Sequence, residues 1–290
     1  MIKSVNKNNN HHVVHQFESV SELFNYLKVT PRRATADKVS EKDDEYWTGS
    51  KDLQSAYDLL LGGDMELYKE FIKGKDLKME KQFSQFTPKR RTKYDIVGGF
   101  VDVPSYLVGV PTCMINRDKQ LIKSKVLNLA INIGVSSGVS AEKMRALGTR
   151  YLQIIELLEK VGYRCNLYIA SVSREGRERY ICLTRIKTDK EPLNLKKCVF
   201  PMIHPSMFRR VMFNWFEKCE LADTHSTDFT QYGYGCPIHD QEEVKQIIKN
   251  DLNKDYIVWG FQNCDYDKVG VDKILEELKN KYGITIGENN

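Results

Sequence analysis

The chain has 290 residues, of which 41% are hydrophobic and 29% charged, and its 44 Lys+Arg against 39 Asp+Glu give a net charge of +5. This composition excludes general disorder and allows one large domain or two ordinary ones. The mild positive excess permits contact with nucleic acid or another anion without requiring it. No run of about 18 apolar residues occurs, so neither a transmembrane helix nor a membrane partner is expected.

Residues 1–15 are polar and asparagine-rich. They lack the apolar stretch of a signal peptide and read as a flexible arm. A small helical module with a basic connector is expected over 16–93. Ser19 with Glu22 forms a capping-box pattern for its first helix. Ser50 is the expected cap of a second helix over 51–61, stopped by Gly62-Gly63, and a third helix is expected over 65–72, with continuation past Gly74 left open. The connector carries Lys89, Arg90, Arg91 and Lys93. With Arg32, Arg33, Phe83 and Phe86 nearby in sequence, it is a candidate grip on phosphates with aromatics to stack bases; its bland reading is a solvated linker.

Residues 94–125 are punctuated by Gly98, Gly99, Pro104, Gly109 and Pro111. They read as an irregular segment, and the apolar run Tyr106-Leu107-Val108-Gly109-Val110-Pro111 is expected to be buried.

From Val126 onward the pattern is α/β. Residues 126–133 are a short apolar strand, Gly134 to Ser140 form a serine-rich turn, and a helix covers 141–161. In that helix Met144, Leu147, Tyr151, Ile154, Ile155 and Leu158 make an apolar stripe. Strands at 165–172 and 179–187 flank Arg174-Glu175-Gly176 as an antiparallel hairpin. A strand–helix–strand unit of this length implies a parallel pair with a right-handed crossover. Ligands of such sheets bind at the carboxyl ends of the strands, where the turn lies. Pro205 opens a helix over 206–219 that is apolar nearly all round and expected to be buried. Residues 221–239 are a loop, and 241–250 a helix. A central strand at 256–261 and a terminal helix over 269–282 complete the domain.

The order of elements over 126–290 resembles the von Willebrand factor A-like family, which includes the Ro autoantigen. The resemblance implies an α/β fold, a Rossmann-type mixed sheet with helices on both faces, preceded here by the helical module. The metal-ion-dependent adhesion site of that family carries Asp-x-Ser-x-Ser. Here the stretch reads Asn132-x-Gly134-x-Ser136, with Asp265 matching a later aspartate, so the site is degenerate. A second resemblance covers most of the chain. The phrases Trp47-Thr48-Gly49-Ser50, Val101-Asp102-Val103-Pro104-Ser105-Tyr106-Leu107, Gly138-Val139-Ser140-Ala141-Glu142 and Phe200-Pro201-Met202-Ile203-His204-Pro205-Ser206-Met207-Phe208-Arg209-Arg210 resemble a family of bacteriophage and prophage proteins. It implies a phage-encoded protein located in the host bacterial cytoplasm or in a virion. It implies no activity.

The candidate partner or anion site comprises Asn132, Gly134, Ser136, Ser137, Ser140 and Asp265. Serine hydroxyls, free amides and a helix N-terminus suit a phosphate or a partner's carboxylate. Without the aspartate at 132, only weak divalent-cation binding is expected. The bland reading is a turn with Ser140 as a helix cap. His204, Ser206, Arg209 and Arg210 are a second anion candidate, or else a buried helix start. Cys219, His225, Cys236 and His239 are a candidate zinc set on the strength of the Cys236-x-x-His239 spacing. The seven scattered cysteines otherwise read as reduced thiols in a cytosolic protein. No nucleophile–base motif, Walker loop or dinucleotide fingerprint occurs.

The sequence therefore points to a non-enzymatic binding protein that docks a protein or nucleic acid at the carboxyl edge of the sheet, without a cofactor. Its rivals are a structural or packaged virion component, including a homo-oligomer, and a metal-dependent nucleic-acid-processing enzyme acting through Asp265 and Asp267.

Overall fold

The computed structural model describes residues 2–7, 10–34, 36–42, 44–84, 91–118, 125–175, 178–219, 236–238, 240–261, 276 and 278–280. The chain opens with strands β1 (Ile2–Lys7) and β2 (Asn10–Phe17). Helices α1 (Val20–Val29), α2 (Glu45–Thr48), α3 (Leu53–Gly62), α4 (Met65–Lys73) and α5 (Leu77–Ser84) follow. Strands β3 (Arg91–Asp95) and β4 (Phe100–Val101), the short helix α6 (Val103–Leu107) and strand β5 (Met114–Asp118) come next. Then come β6 (Val126–Asn132), α7 (Ala141–Lys160), β7 (Arg164–Glu175), β8 (Glu178–Lys187) and α8 (Leu195–Ile203). A π-helical segment, Met207–Met212, runs directly into α9 (Phe213–Lys218). Strand β9 (Cys236–Pro237), α10 (Gln241–Leu252) and β10 (Ile257–Gly260) complete the described elements. Residues 276 and 278–280 are helical; the rest of the terminal helix expected over 269–282 lies outside the described residues.

The fold is α/β with a mixed seven-stranded sheet in the order β1-β2-β8-β7-β6-β10, with β9 pairing β7. β6 is parallel to β7 and to β10, while β7 and β8 are antiparallel. Residues expected at 126–133, 165–172 and 256–261 thus share one sheet. The alternation of side chains along a strand sorts the core into two. Leu127, Leu129, Ile131, Ile257 and Trp259 face one side, packed with α7, α8 and α9. Ala130, Ala170, Val172 and Val258 face the other, against Val244, Ile247 and Ile248 of α10. The stripe expected on α7 is buried as a whole. Trp215, Met212 and Phe208 are buried too. α7 and α8 touch at Gly148, where a Cβ would stand 2.1 Å from the Met202 carbonyl oxygen.

Local chemistry sets most helix ends. The Ser19 hydroxyl accepts the Glu22 amide at 3.1 Å, and the Glu22 carboxylate accepts the Glu18 amide. The helix expected over 51–61 is α3, which starts later, at Leu53, capped by Asp52 rather than Ser50, with the Asp52 carboxylate 2.7 Å from the Ser55 amide. α4 covers Met65–Lys73, one residue more than expected, and does not continue past Gly74.

Three expectations are corrected. The stretch at 1–15 read as a loose arm is paired into the sheet: β2 runs parallel to β8 and antiparallel to β1. Residues 13–17 are all buried, with Val13 and Phe17 in one core and Val14 in the other, so a strand buried on both faces formed despite the asparagine-rich composition. Next, β3, β4 and β5 form a second, three-stranded sheet in the order β3-β5-β4, which takes in part of the basic connector and of the irregular segment. Finally, the apolar run at Tyr106–Pro111 is not buried. Leu107 is 76% exposed and Val108 77% exposed, because α6 is a single short turn beside that small sheet.

The helices of residues 20–84 share the larger core with the main sheet: Leu23, Leu27, Ala56, Leu60, Leu67 and Phe71 belong to the same cluster as Leu129 and Ile169.

Candidate functional site

Strands β6, β7 and β8 lie side by side as β8-β7-β6, and the chain then returns to place β10 on the far side of β6. That reversal is a topological switch point, and sheets of this kind bind ligands outside the carboxyl ends of the strands at such a point. Asn132 ends β6 and is fully buried. Its Oδ1 accepts the Gly134 amide at 3.1 Å, and its Nδ2 donates to Gln241 Oε1 at 3.3 Å. The Phe261 amide donates to the Asn132 carbonyl at 3.0 Å, and the Tyr151 hydroxyl to the Gly260 carbonyl at 3.0 Å. Gly134 passes so close to β7 that a Cβ would sit 3.0 Å from the Val172 carbonyl oxygen.

Beyond Gly134 the turn rises to the surface. Val135 is buried, while Ser137, Gly138 and Ser140 are exposed. Ser140 caps α7 by accepting the Lys143 amide at 3.2 Å. A Cβ on Gly138 would meet nothing within 4 Å. The turn therefore offers an accessible N-terminus of a 20-residue helix, whose aligned dipoles and free amides favour negative charge.

The underside of this turn is a polar interlock. Trp47 Nε1 donates to the Ser137 carbonyl at 3.2 Å. Arg209, 0% exposed, donates to the Trp47 carbonyl at 2.6 Å and to the Val139 carbonyl, with its guanidinium 4.3 Å from the Trp47 ring centroid. Arg209 Nε has no hydrogen-bond partner among the described residues. No carboxylate there lies within ion-pair distance of this guanidinium. Burial lowers its pKa to about 10, and the more distant Asp44 only partly opposes this.

The neighbouring groups are consumed by structure. Arg210 donates to four carbonyls, those of Ser40 (3.0 Å), Lys42 (3.2 Å), Ser50 (2.6 Å) and Lys51 (2.9 Å). The Ser206 hydroxyl lies 2.7 Å from both the Thr48 carbonyl and the Ser50 hydroxyl, and its amide donates to His204 Nδ1 at 3.2 Å. Burial lowers the His204 pKa to about 4, and Arg145 pushes in the same direction. The π-helical segment brings Arg209 and Arg210, adjacent in sequence, to two different loops; such segments are rare and often mark special sites.

The structure thus brings together Asn132, Gly134 and the Ser136–Ser140 stretch, and sets Arg209 beneath them. His204, Ser206 and Arg210 are buried and already bonded. Asp265 and Asp267 lie outside the described residues, as do Lys89 and Arg90. Arg91 is described only as backbone in β3, and Lys93 is exposed and paired with Asp95 at 3.3 Å. Of the zinc candidates, Cys219 is buried and Cys236 exposed, while His225 and His239 lie outside the described residues. No group of three or more His, Cys, Asp or Glu among the described residues is placed to hold a metal, and no described helix is long and apolar enough to cross a membrane.

Two features escaped the sequence reading. One is a buried carboxylate, Glu217, which accepts from the Ser40 amide (2.9 Å), the Ser40 hydroxyl (2.7 Å) and Arg32 Nε (2.8 Å). A glutamate and an asparagine inside a helix apolar all round was its signal, because a buried charge demands partners. The other is the apolar surface of the small sheet.

Comparison with known proteins gives one match: a family model described as a domain of unknown function (DUF7192) covers residues 4–286. No curated protein and no solved structure matches.

Proposed function

The chain belongs to the DUF7192 family, and we propose that it is a non-enzymatic binding protein whose partner, a protein or a nucleic acid, docks an acidic group at the carboxyl edge of the sheet, over residues 135–140. One observation carries this reading: a fully buried guanidinium, Arg209, without a carboxylate among the described residues, lies directly beneath an exposed helix N-terminus. A buried charge without a counter-ion is costly, and a partner's carboxylate or phosphate at Ser137 and Gly138 would offset it. The site takes an anionic group rather than a tightly held divalent cation, since Asn132 contributes an amide already bonded on both sides. The β8-β7-β6-β10 order, with only β8 antiparallel, supports a von Willebrand factor A-like reading with a degenerate adhesion site. The four sequence phrases support a role in a phage's life cycle, in the host cytoplasm or the virion.

Gly138→Trp fills open solvent and tests the site without disturbing the core. Co-purification from infected cells, with and without nuclease, is expected to yield a partner that Gly138→Trp abolishes. A partner retained by that variant overturns the reading, and so does micromolar Mg²⁺ or Mn²⁺ binding abolished by Asp265→Ala.

A second reading is favoured by the small sheet. Ile96, Val97, Phe100, Val103, Tyr106, Leu107 and Val108 are all more than half exposed. Monomers rarely expose apolar patches beyond a few hundred Å². This supports a structural or packaged virion component, and the sedimentation of the purified protein tests it: an assembled species dispersed by Leu107→Ser supports it, and a monomer opposes it.

A further inference from the structure

A cavity of about 510 Å³ opens between α1, α3 and α9, far in sequence from the turn over residues 135–140. Its volume falls in the range of about 300–1,000 Å³ typical of small-molecule sites. Phe24, Leu27, Leu53 and Tyr57 make its apolar walls. Phe24 and Tyr57 meet edge to face, with centroids 5.3 Å apart and planes at 83°, an aromatic corner against which a flat ring packs.

Its polar groups carry an excess of positive charge. Arg32, Lys28 and Lys218 line it against one lining carboxylate, Glu41. Arg32 bridges two carboxylates, Glu41 at 2.6 Å and the buried Glu217 at 2.8 Å, so Arg32, Lys28 and Lys218 stand against two negative charges. The two lysines have no carboxylate within ion-pair distance among the described residues. Lys28 Nζ stands 6.0 Å from the Phe24 ring centroid, and Lys218 donates to the Leu27 carbonyl. Burial, with Arg32 adding to it, lowers the Lys218 pKa, and the more distant Glu217 and Glu41 only partly oppose this. The Tyr57 hydroxyl donates to Asn214 Oδ1 at 2.8 Å, and Asn214 is fixed in turn by Glu217 at 3.2 Å. The polar floor is thereby held in one geometry before any ligand arrives.

We propose that this cavity binds a small amphipathic anion, an aromatic body carrying one carboxylate or phosphate, with the ring against Phe24, Leu53 and Tyr57 and the anionic head between Lys28 and Lys218. Isothermal titration of the full chain with 2-naphthoate, 2-naphthyl phosphate, neutral 2-naphthamide and acetate tests it. Either naphthyl anion is expected to bind at least about tenfold more tightly than the amide and than acetate, and comparison of the two identifies the preferred head group. Lys28→Glu, at an exposed position, and Lys218→Met are each expected to weaken the better anion by about tenfold or more. The double substitution Leu107→Ser, Val108→Ser, which removes the other apolar surface, is expected to leave it unchanged. The proposal is overturned if the amide or acetate binds as well as the anions, if no probe binds, if Lys28→Glu retains full affinity, or if Leu107→Ser, Val108→Ser abolishes binding.

Discussion

Two regions of this molecule carry distinctive sequence phrases and treat them in opposite ways. At the interlock, Trp47–Ser50, the turn to Ser140 and His204–Arg210 converge from separate parts of the chain, and their polar atoms are used on one another. On the small β3-β5-β4 sheet, the phrase from Val101 to Leu107 puts its apolar side chains into solvent. Distinctive wording therefore has two physical origins. Where it is buried and polar, it fixes loops. Where it is exposed and apolar, only a contact outside the described fold explains it.

The contrast can be broken most severely at Arg210. Arg210→Met leaves the Ser40 and Lys51 carbonyls without their donor, while the Lys42 and Ser50 carbonyls keep the Asp44 amide and the Thr48 hydroxyl, each at 3.0 Å; it is expected to cost about 3 kcal/mol, because each buried acceptor left unpaired costs roughly 1–3 kcal/mol. Urea denaturation measures it; a loss below about 1 kcal/mol would mean that those carbonyls find other donors and that the interlock is not what holds the loops.

Acid sharpens the same side of the comparison. The folded-state pKa of His204 is lowered to about 4 from 6.5, so between these values the unfolded chain binds a proton that the folded chain does not. Stability is therefore intact above pH 6.5 and falls as the pH drops towards 4, by up to about 1.4 kcal/mol per pH unit for this group. His15, whose Nδ1 accepts from Trp215 Nε1 at 3.1 Å and whose pKa is lowered by burial to about 3, adds to the slope. His204→Asn, which keeps an acceptor for the Ser206 amide, is expected to flatten the pH dependence. An unchanged slope in that variant would show that His204 titrates freely.

The smallest effect is expected on the other side. Leu107→Ser and Val108→Ser are each predicted to change stability by less than about 0.5 kcal/mol, as exposed positions do. A larger loss would mean that the small sheet packs in the free protein.

The sequence made the central α/β frame legible because its signals are local: apolar alternation in β6, β7 and β10, a cap at Ser140 and a helical stripe from Met144 to Leu158. It also placed the turn at the carboxyl edge. It did not show that Arg209 ends beneath that turn, since this depends on the π-helical segment and on the short helix α2, whose Trp47 is 162 residues away in sequence. Nor did it show the Lys28–Lys218 cavity, whose walls come from three helices. The run from Tyr106 to Pro111 misled because apolar character reports a wish for burial without saying whether the same chain supplies the cover.

The central claim, an acidic group received at the start of α7 above Arg209, is tested most directly by NMR titration of the full chain with an acidic hexapeptide. The account predicts saturable shifts of the Ser137 and Gly138 amides and of the Arg209 Nε–H signal, lost in Gly138→Trp and retained in Leu107→Ser. Saturation that leaves those three signals in place, or that survives Gly138→Trp, would contradict it.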